Sequence, residues 1–205
     1  MTPESKLRLE WLKATCCELL PGGQPNPAFN AGVRVRLRRG FDHLDDGDTA
    51  LFGLLVQAGW RTDEPEARVP YQIVAGLFAW HPKPSTDRAS SFGHVCRRLA
   101  LQKQLESNRR GVDPDKNTFT PRFERLLSCR RPDQMAQPLR GIVRMLATSE
   151  DPITIHFQRL LIDLLRWERA WRGGNGPRQM WARDYWWQPR DPKEDGSADD
   201  NGPPP

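Results

Sequence analysis

The stretch NPAFNAGVRVRLRRG, residues 26–40, holds four arginines in six residues and alternates apolar with basic side chains from Val33 to Arg38. Alternation of period two is the pattern of a half-buried strand. The flanks point the other way. Asn26 can cap a helix, Pro27 suits its first position, and Gly40 stands where a left-handed C-cap belongs. On a helical wheel Phe29, Val33 and Leu37 fall on one face, four residues apart. Arg34 and Arg38 flank that stripe on one side, Arg36 and Arg39 on the other. The helix reading uses both the proline and the glycine, and arginines in a last turn suit the negative end of the helix dipole. We read the stretch as a helix.

The same punctuation recurs outward from it. Pro3 precedes ESKLRLEWLKATCCELL, which stops at Pro21-Gly22-Gly23. Asp48 can cap TALFGLLVQAG, ending at Gly59. Pro70 can start YQIVAGLFAW, with Ile73, Leu77 and Trp80 at helical spacing. Ser90 or Ser91 can cap FGHVCRRLALQKQL. Thr120-Pro121 is a cap and first-turn pair before RFERLL. Asp133 can open QMAQPLRGIVRMLA, where Pro138 is expected to kink or restart the helix. Asp151-Pro152 opens the longest expected segment, ITIHFQRLLIDLLRWERAWR, and Asn175 with Pro177 opens RQMWARDYWW. The expectation is an all-α protein of eight or nine helices. Polar residues 103–120 should connect an N-terminal bundle, 1–102, to a C-terminal bundle, 121–187, with a disordered acidic tail at 188–205.

The charge is unevenly placed. The chain of 205 residues carries a net +5, yet its last eighteen residues carry −3, which leaves +8 on the body. Between Phe92 and Arg190 nineteen Lys/Arg face ten Asp/Glu, and seventeen of the nineteen are arginine. A guanidinium fork matches phosphate oxygens and can stack on bases. Arg97 and Arg98, Arg122 and Arg125, Arg131, and the i,i+4 pair Arg140 and Arg144 recur on successive predicted segments, so a shared basic surface is expected with Arg34, Arg36, Arg38 and Arg39. Contact with about five phosphates of a single strand would give a salt slope near −3.5. Trp167, Trp171 and Trp181 sit among apolar neighbours and are assigned to the core.

Other chemistry is poorly supported. The four cysteines, Cys16, Cys17, Cys96 and Cys129, show no C-x-x-C spacing. The stretch from Asp42 to Phe52 imitates a calcium loop only as far as Gly47, because position twelve is Gly53 where a glutamate is needed. No G-x-S-x-G, G-x-x-x-x-G-K or H-E-x-x-H occurs. His156, beside apolar positions, reads as a packing residue. An enzyme would need a site assembled in space around Asp42, His43 or His94. With no signal-peptide pattern and no apolar run of spanning length, a cytoplasmic protein without membrane contact is expected.

Five motifs in order resemble the CasB family, the small subunit of the type I-E CRISPR Cascade complex: LRRG (37–40), RFERLL (122–127), PLRGIVRML (138–146), FQRLLIDLLRW (157–167) and WARDYW (181–186). The resemblance spans most of residues 5–187. One departure is His156-Phe157, where the family pattern has an acidic–aromatic pair. The resemblance implies an all-helical, non-catalytic subunit without cofactor. Its partners would be the backbone and large subunits, a second copy lying head to tail, the crRNA-bearing complex, and target and displaced non-target DNA. The family's basic positions carry over to Arg38, Arg39, Arg122, Arg131, Arg140 and Arg144. Arg34, Arg36, Arg97, Arg98 and Arg125 are added from charge placement. A structural adaptor, whose arginines meet acidic protein surfaces, is the alternative.

Overall fold

The computed structural model describes residues 6–19, 24–44, 49–87, 90–109, 119–149, 153–168 and 176–186. Among them lie nine α-helices: α1 (Leu9–Cys16), α2 (Ala31–Asp42), α3 (Thr49–Gln57), α4 (Arg68–Trp80), α5 (Phe92–Arg109), α6 (Thr120–Ser128), α7 (Pro132–Ala147), α8 (Phe157–Arg166) and α9 (Pro177–Trp186). No strand is present among the described residues, only two isolated bridges. None of the described helices is long and apolar enough to cross a membrane.

Helix α4 is the axis of the molecule. Every residue from Pro70 to Ala79 is buried, as expected of a helix that is apolar all round. Helices α1, α2, α3, α7 and α8 pack around it. Gly76 lets α2 lie close against α4, since a Cβ there would stand 2.8 Å from Phe41 Cβ and 3.1 Å from the Leu37 carbonyl oxygen. That approach brings Arg38, next to Leu37, to the end of α4.

The helices expected on either side of residues 103–120 meet directly. Helix α5 packs on α9, with the Phe92 and Trp181 rings 5.1 Å apart and Ser91 Oγ donating to Asp184 at 2.6 Å. Buried apolar side chains from Leu7 to Tyr185 form one connected cluster; each large one contributes ~1.5–3 kcal/mol. The polar stretch 103–120 opens as helix, because α5 continues to Arg109.

The helix expected in the quoted stretch is present, and its ends differ for physical reasons. Asn30 is the N-cap, its side chain accepting from Val33 N at 3.1 Å. Asn26 is buried instead, its Nδ2 donating to the carbonyls of Ala14 and Cys17 at 2.9 and 2.8 Å. Gly40 lies inside α2 and not at a C-cap; its lack of a side chain admits Leu51, whose Cδ2 would stand 2.5 Å from a Cβ.

Other expectations shift: α4 starts at Arg68, ahead of Pro70, and Arg131 rather than Asp133 stands at the N-cap of α7. Thr120 lies in α6, bonded to Tyr185 Oη at 2.9 Å, and Phe119 takes the cap position. Pro138 sits within a continuous α7: its missing N–H leaves the Gln134 carbonyl to the Cys129 thiol, 3.4 Å away. Residues 153–155 are not helical, because Ile155 pairs with the chain at Lys83 and Ser85 through bonds of 3.2 and 2.8 Å. Helix α8 therefore starts at Phe157, and α5 is the longest described helix. His156 caps α8, its Nδ1 accepting from Arg159 N at 3.0 Å, which is the task an acidic residue performs at an N-cap. Ser91 borders α5 at the cap position, with His94 N donating to its Oγ at 3.4 Å. Asp48, Asn175, Trp171 and the tail at 188–205 lie outside the described residues.

Candidate nucleic-acid interface

The last carbonyls of a helix have no partner within it, and the end carries partial negative charge. On α4 that end is met by arginines. Arg34 Nε donates to the Ala79 carbonyl at 3.1 Å, and Arg38 donates to it from Nε at 3.0 Å and Nη2 at 2.8 Å. Arg34 also pairs with Glu18, so its guanidinium is largely spoken for. Burial, with Arg34 beside it, pushes the pKa of Arg38 down.

One residue further on, Trp80 is half-buried at the C-terminus of α4. Three guanidiniums gather on its ring. The Cζ atoms of Arg38, Arg140 and Arg144 lie 4.8, 5.3 and 5.7 Å from the ring centroid. Each such contact contributes about 0.5–2 kcal/mol, depending on desolvation. Arg38 comes from α2, Arg140 and Arg144 from successive turns of α7. One described carboxylate is bonded within the group: Asp42, one turn beyond Arg38, pairs with Arg140, while Glu18, paired with Arg34, acts on Arg38 through its charge. Arg144 has no hydrogen-bond acceptor or ion-pair partner among the described residues. Trp80 Nε1 is buried without a hydrogen-bond partner.

The basic surface extends across α7. Gln137, Arg140, Gly141 and Arg144 share one face of that helix by their spacing. On its far flank Gln137, Pro138, Gly141 and Ile142 form an open cleft of about 170 Å³ with Arg122 and Arg125 of α6. Both α6 arginines are exposed. A Cβ on Gly141 would meet nothing within 4 Å, so the helix backbone lies bare between the cleft and the Trp80 cluster.

The structure thus brings together Arg38, Arg140 and Arg144, places Arg34 beside them, and sets Arg122 and Arg125 on the adjoining flank. The remaining arginines stand apart. Arg36 and Arg39 are exposed on other sides of α2. Arg97 is half-buried and Arg98 exposed on α5, with no described bond or ring contact to the cluster. Arg131 precedes α7 and pairs with Asp133 at 2.5 Å. Trp80 and Asp42 are the members that sequence reasoning missed as parts of the surface. Their signals were an aromatic residue directly before His81-Pro82, and an acid one turn after Arg38.

No group of three or more His, Cys, Asp or Glu among the described residues could hold a metal ion. Ser91, His94 and Asp184 gather, with Ser91 Oγ 3.3 Å from His94 Nδ1. The serine hydroxyl, completely buried, donates to Asp184. This trio ties the start of α5 to α9. Asp42 serves Arg140, and no described cleft joins it to His43 or His94.

Helices alone around one core, with an arginine-rich face and no metal-binding group among the described residues, define an all-helical protein with a basic surface. The family model described as CRISPR-associated protein Cse2 matches residues 33–186. The chain belongs to this Cse2 family, the CasB-type small subunits of the type I-E CRISPR Cascade complex. The crystal structure of M. ruber CasB is similar at a TM-score of 0.53 and 26% identity, covering 77% of this chain and 85% of that chain. No curated protein matches the chain.

Proposed function

We propose that the chain is a non-catalytic Cascade subunit that holds the displaced non-target DNA strand on its arginine surface and so stabilises the R-loop during crRNA-guided recognition. The observation that carries this reading is the convergence of three guanidiniums from two helices on Trp80, only one of them, Arg140, ion-paired with a described carboxylate. Such a surface recognises phosphate and is indifferent to base sequence. That suits a complex in which the guide supplies specificity. Exchanging one duplex for another of similar stability is nearly balanced, so modest contacts to the freed strand tip it. Five guanidiniums, those of Arg38, Arg122, Arg125, Arg140 and Arg144, would give the isolated protein weak single-strand binding with a salt slope near −3.5.

The test is R140A/R144A in the assembled complex, read as opening of target duplex, with circular dichroism confirming the fold. Opening is expected to fall sharply. Opening equal to that of the parent refutes the assignment. Crosslinking of the cluster to an acidic subunit, and not to DNA, would favour the adaptor reading instead.

A further inference from the structure

The Trp80 cluster is uneven in a way that its packing role does not require. Three cations share one indole ring, so no two of their Cζ atoms are more than about 11 Å apart. Like charges so close repel one another unless an anion lies among them. Asp42 supplies one unit of negative charge, through Arg140, and its side chain is 39% exposed; Glu18 supplies a second at the Arg38 edge but is paired with Arg34. Among the described residues Arg144 keeps its whole donor fork unused, and Arg38 keeps Nη1 after serving the Ala79 carbonyl. Among the described residues the donors therefore outnumber the acceptors, at a site that is open to solvent and held on two helices.

We propose that the Trp80 cluster is a seat for one phosphodiester group of a nucleic-acid strand, and that the Asp42 carboxylate occupies that seat until the strand arrives. The proposal rests on the function proposed above and deepens it. A phosphodiester presents two acceptor oxygens and one negative charge, which matches the forks of Arg140 and Arg144. Asp42 makes no other described hydrogen bond, so it can swing into water when displaced. A free carboxylate ligand would only exchange like for like. A strand brings several phosphates, and its contacts with Arg122 and Arg125 along the same α7 face offset the lost ion pair. Trp80 acts here as a positioning residue, a plate that holds guanidiniums of two helices at one height.

The experiment measures anisotropy of labelled oligo(dT) on the full chain at 50 mM salt. D42N removes the seat-holder and preserves its shape; D63N removes the same unit charge from an exposed pair with Arg61, away from the cluster. D42N is expected to bind about two- to fivefold tighter than D63N, the range of one exposed ion pair. In an R140A background this excess should vanish, since the coupling runs through one guanidinium. Binding by D42N no tighter than by D63N, or an excess that survives R140A, overturns the seat. If R122A/R125A and R140A/R144A weaken binding while D42N equals D63N, the surface reading stands and the seat falls. If the parent binds no oligo(dT) at all, both fall. W80F should retain the D42N excess and W80A lose it.

Discussion

Asp163 is the sharpest test of the back core. It is 5% exposed and accepts from Trp181 Nε1 at 2.7 Å. Burial pushes its pKa from 3.8 to about 6, against the pull of that hydrogen bond and of Arg159 and Arg166. The folded protein therefore holds the proton more tightly than the unfolded chain. This contribution to stability is whole below pH 3.8, falls as pH rises toward 6, and is gone above it. The difference amounts to ~3 kcal/mol. D163N keeps an acceptor for Trp181 and removes the titration. At pH 8 it should be more stable than the parent by about 1–2 kcal/mol, once the amide's unpaired N–H groups are counted against the gain. The margin should close toward pH 4.5. His81 works in the opposite sense: burial lowers its pKa, opposed by the Ile153 carbonyl, so its stabilisation holds above pH 6.5 and is lost as pH falls below it. Both proteins share His81, so it cancels in the comparison. Urea unfolding at pH 4.5, 6 and 8 reads the margin directly. A D163N protein that is less stable than the parent by the same amount at all three pH values would show a carboxylate that is charged and well paired, and would refute the reasoning.

G93A should lower Tm by several degrees, because a Cβ there would stand 2.3 Å from the Trp181 carbonyl oxygen; overpacking of this kind costs ~1–3 kcal/mol. An unchanged melt would mean that α5 and α9 are not so close. R122A/R125A should flatten the salt slope of oligo(dT) binding by about 1.4, two single-strand phosphate contacts. A slope that does not move would remove α6 from the surface. Q134A should cost ~1 kcal/mol in urea unfolding, since Gln134 Oε1 accepts from the backbone of Arg130 and Arg131 at 2.9 and 3.4 Å before α7.

The helices were legible because proline and cap residues mark their starts and apolar spacing marks their faces. Their ends were not, because burial decides them. Asn26 has the right side chain for a cap, but its bonds to Ala14 and Cys17 hold it in the core, and Asn30 takes the role. Ile153 to Ile155 has helical neighbours, but its partner, the chain at Lys83 and Ser85, lies some seventy residues away. The pairing of Arg140 with Arg144 followed from i,i+4 spacing alone. Their meeting with Arg38 did not, since it depends on how closely α2 approaches α4 at Gly76. Trp80 was hidden by its own company, because Ile73 and Leu77 share its spacing and are fully buried.

The burial of α4 on all sides has a consequence for exchange with solvent. Its final turn is clamped by arginines at Ala79 and followed by the buried His81, bonded to the Ile153 carbonyl at 2.8 Å, so fraying there requires the centre of the protein to open. Amide protons of residues 76–80 should consequently rank among the slowest to be replaced by deuterium. A group held by the guanidiniums over Trp80 would therefore rest against an indole plate fixed by folding, so that part of the ordering entropy is spent before capture.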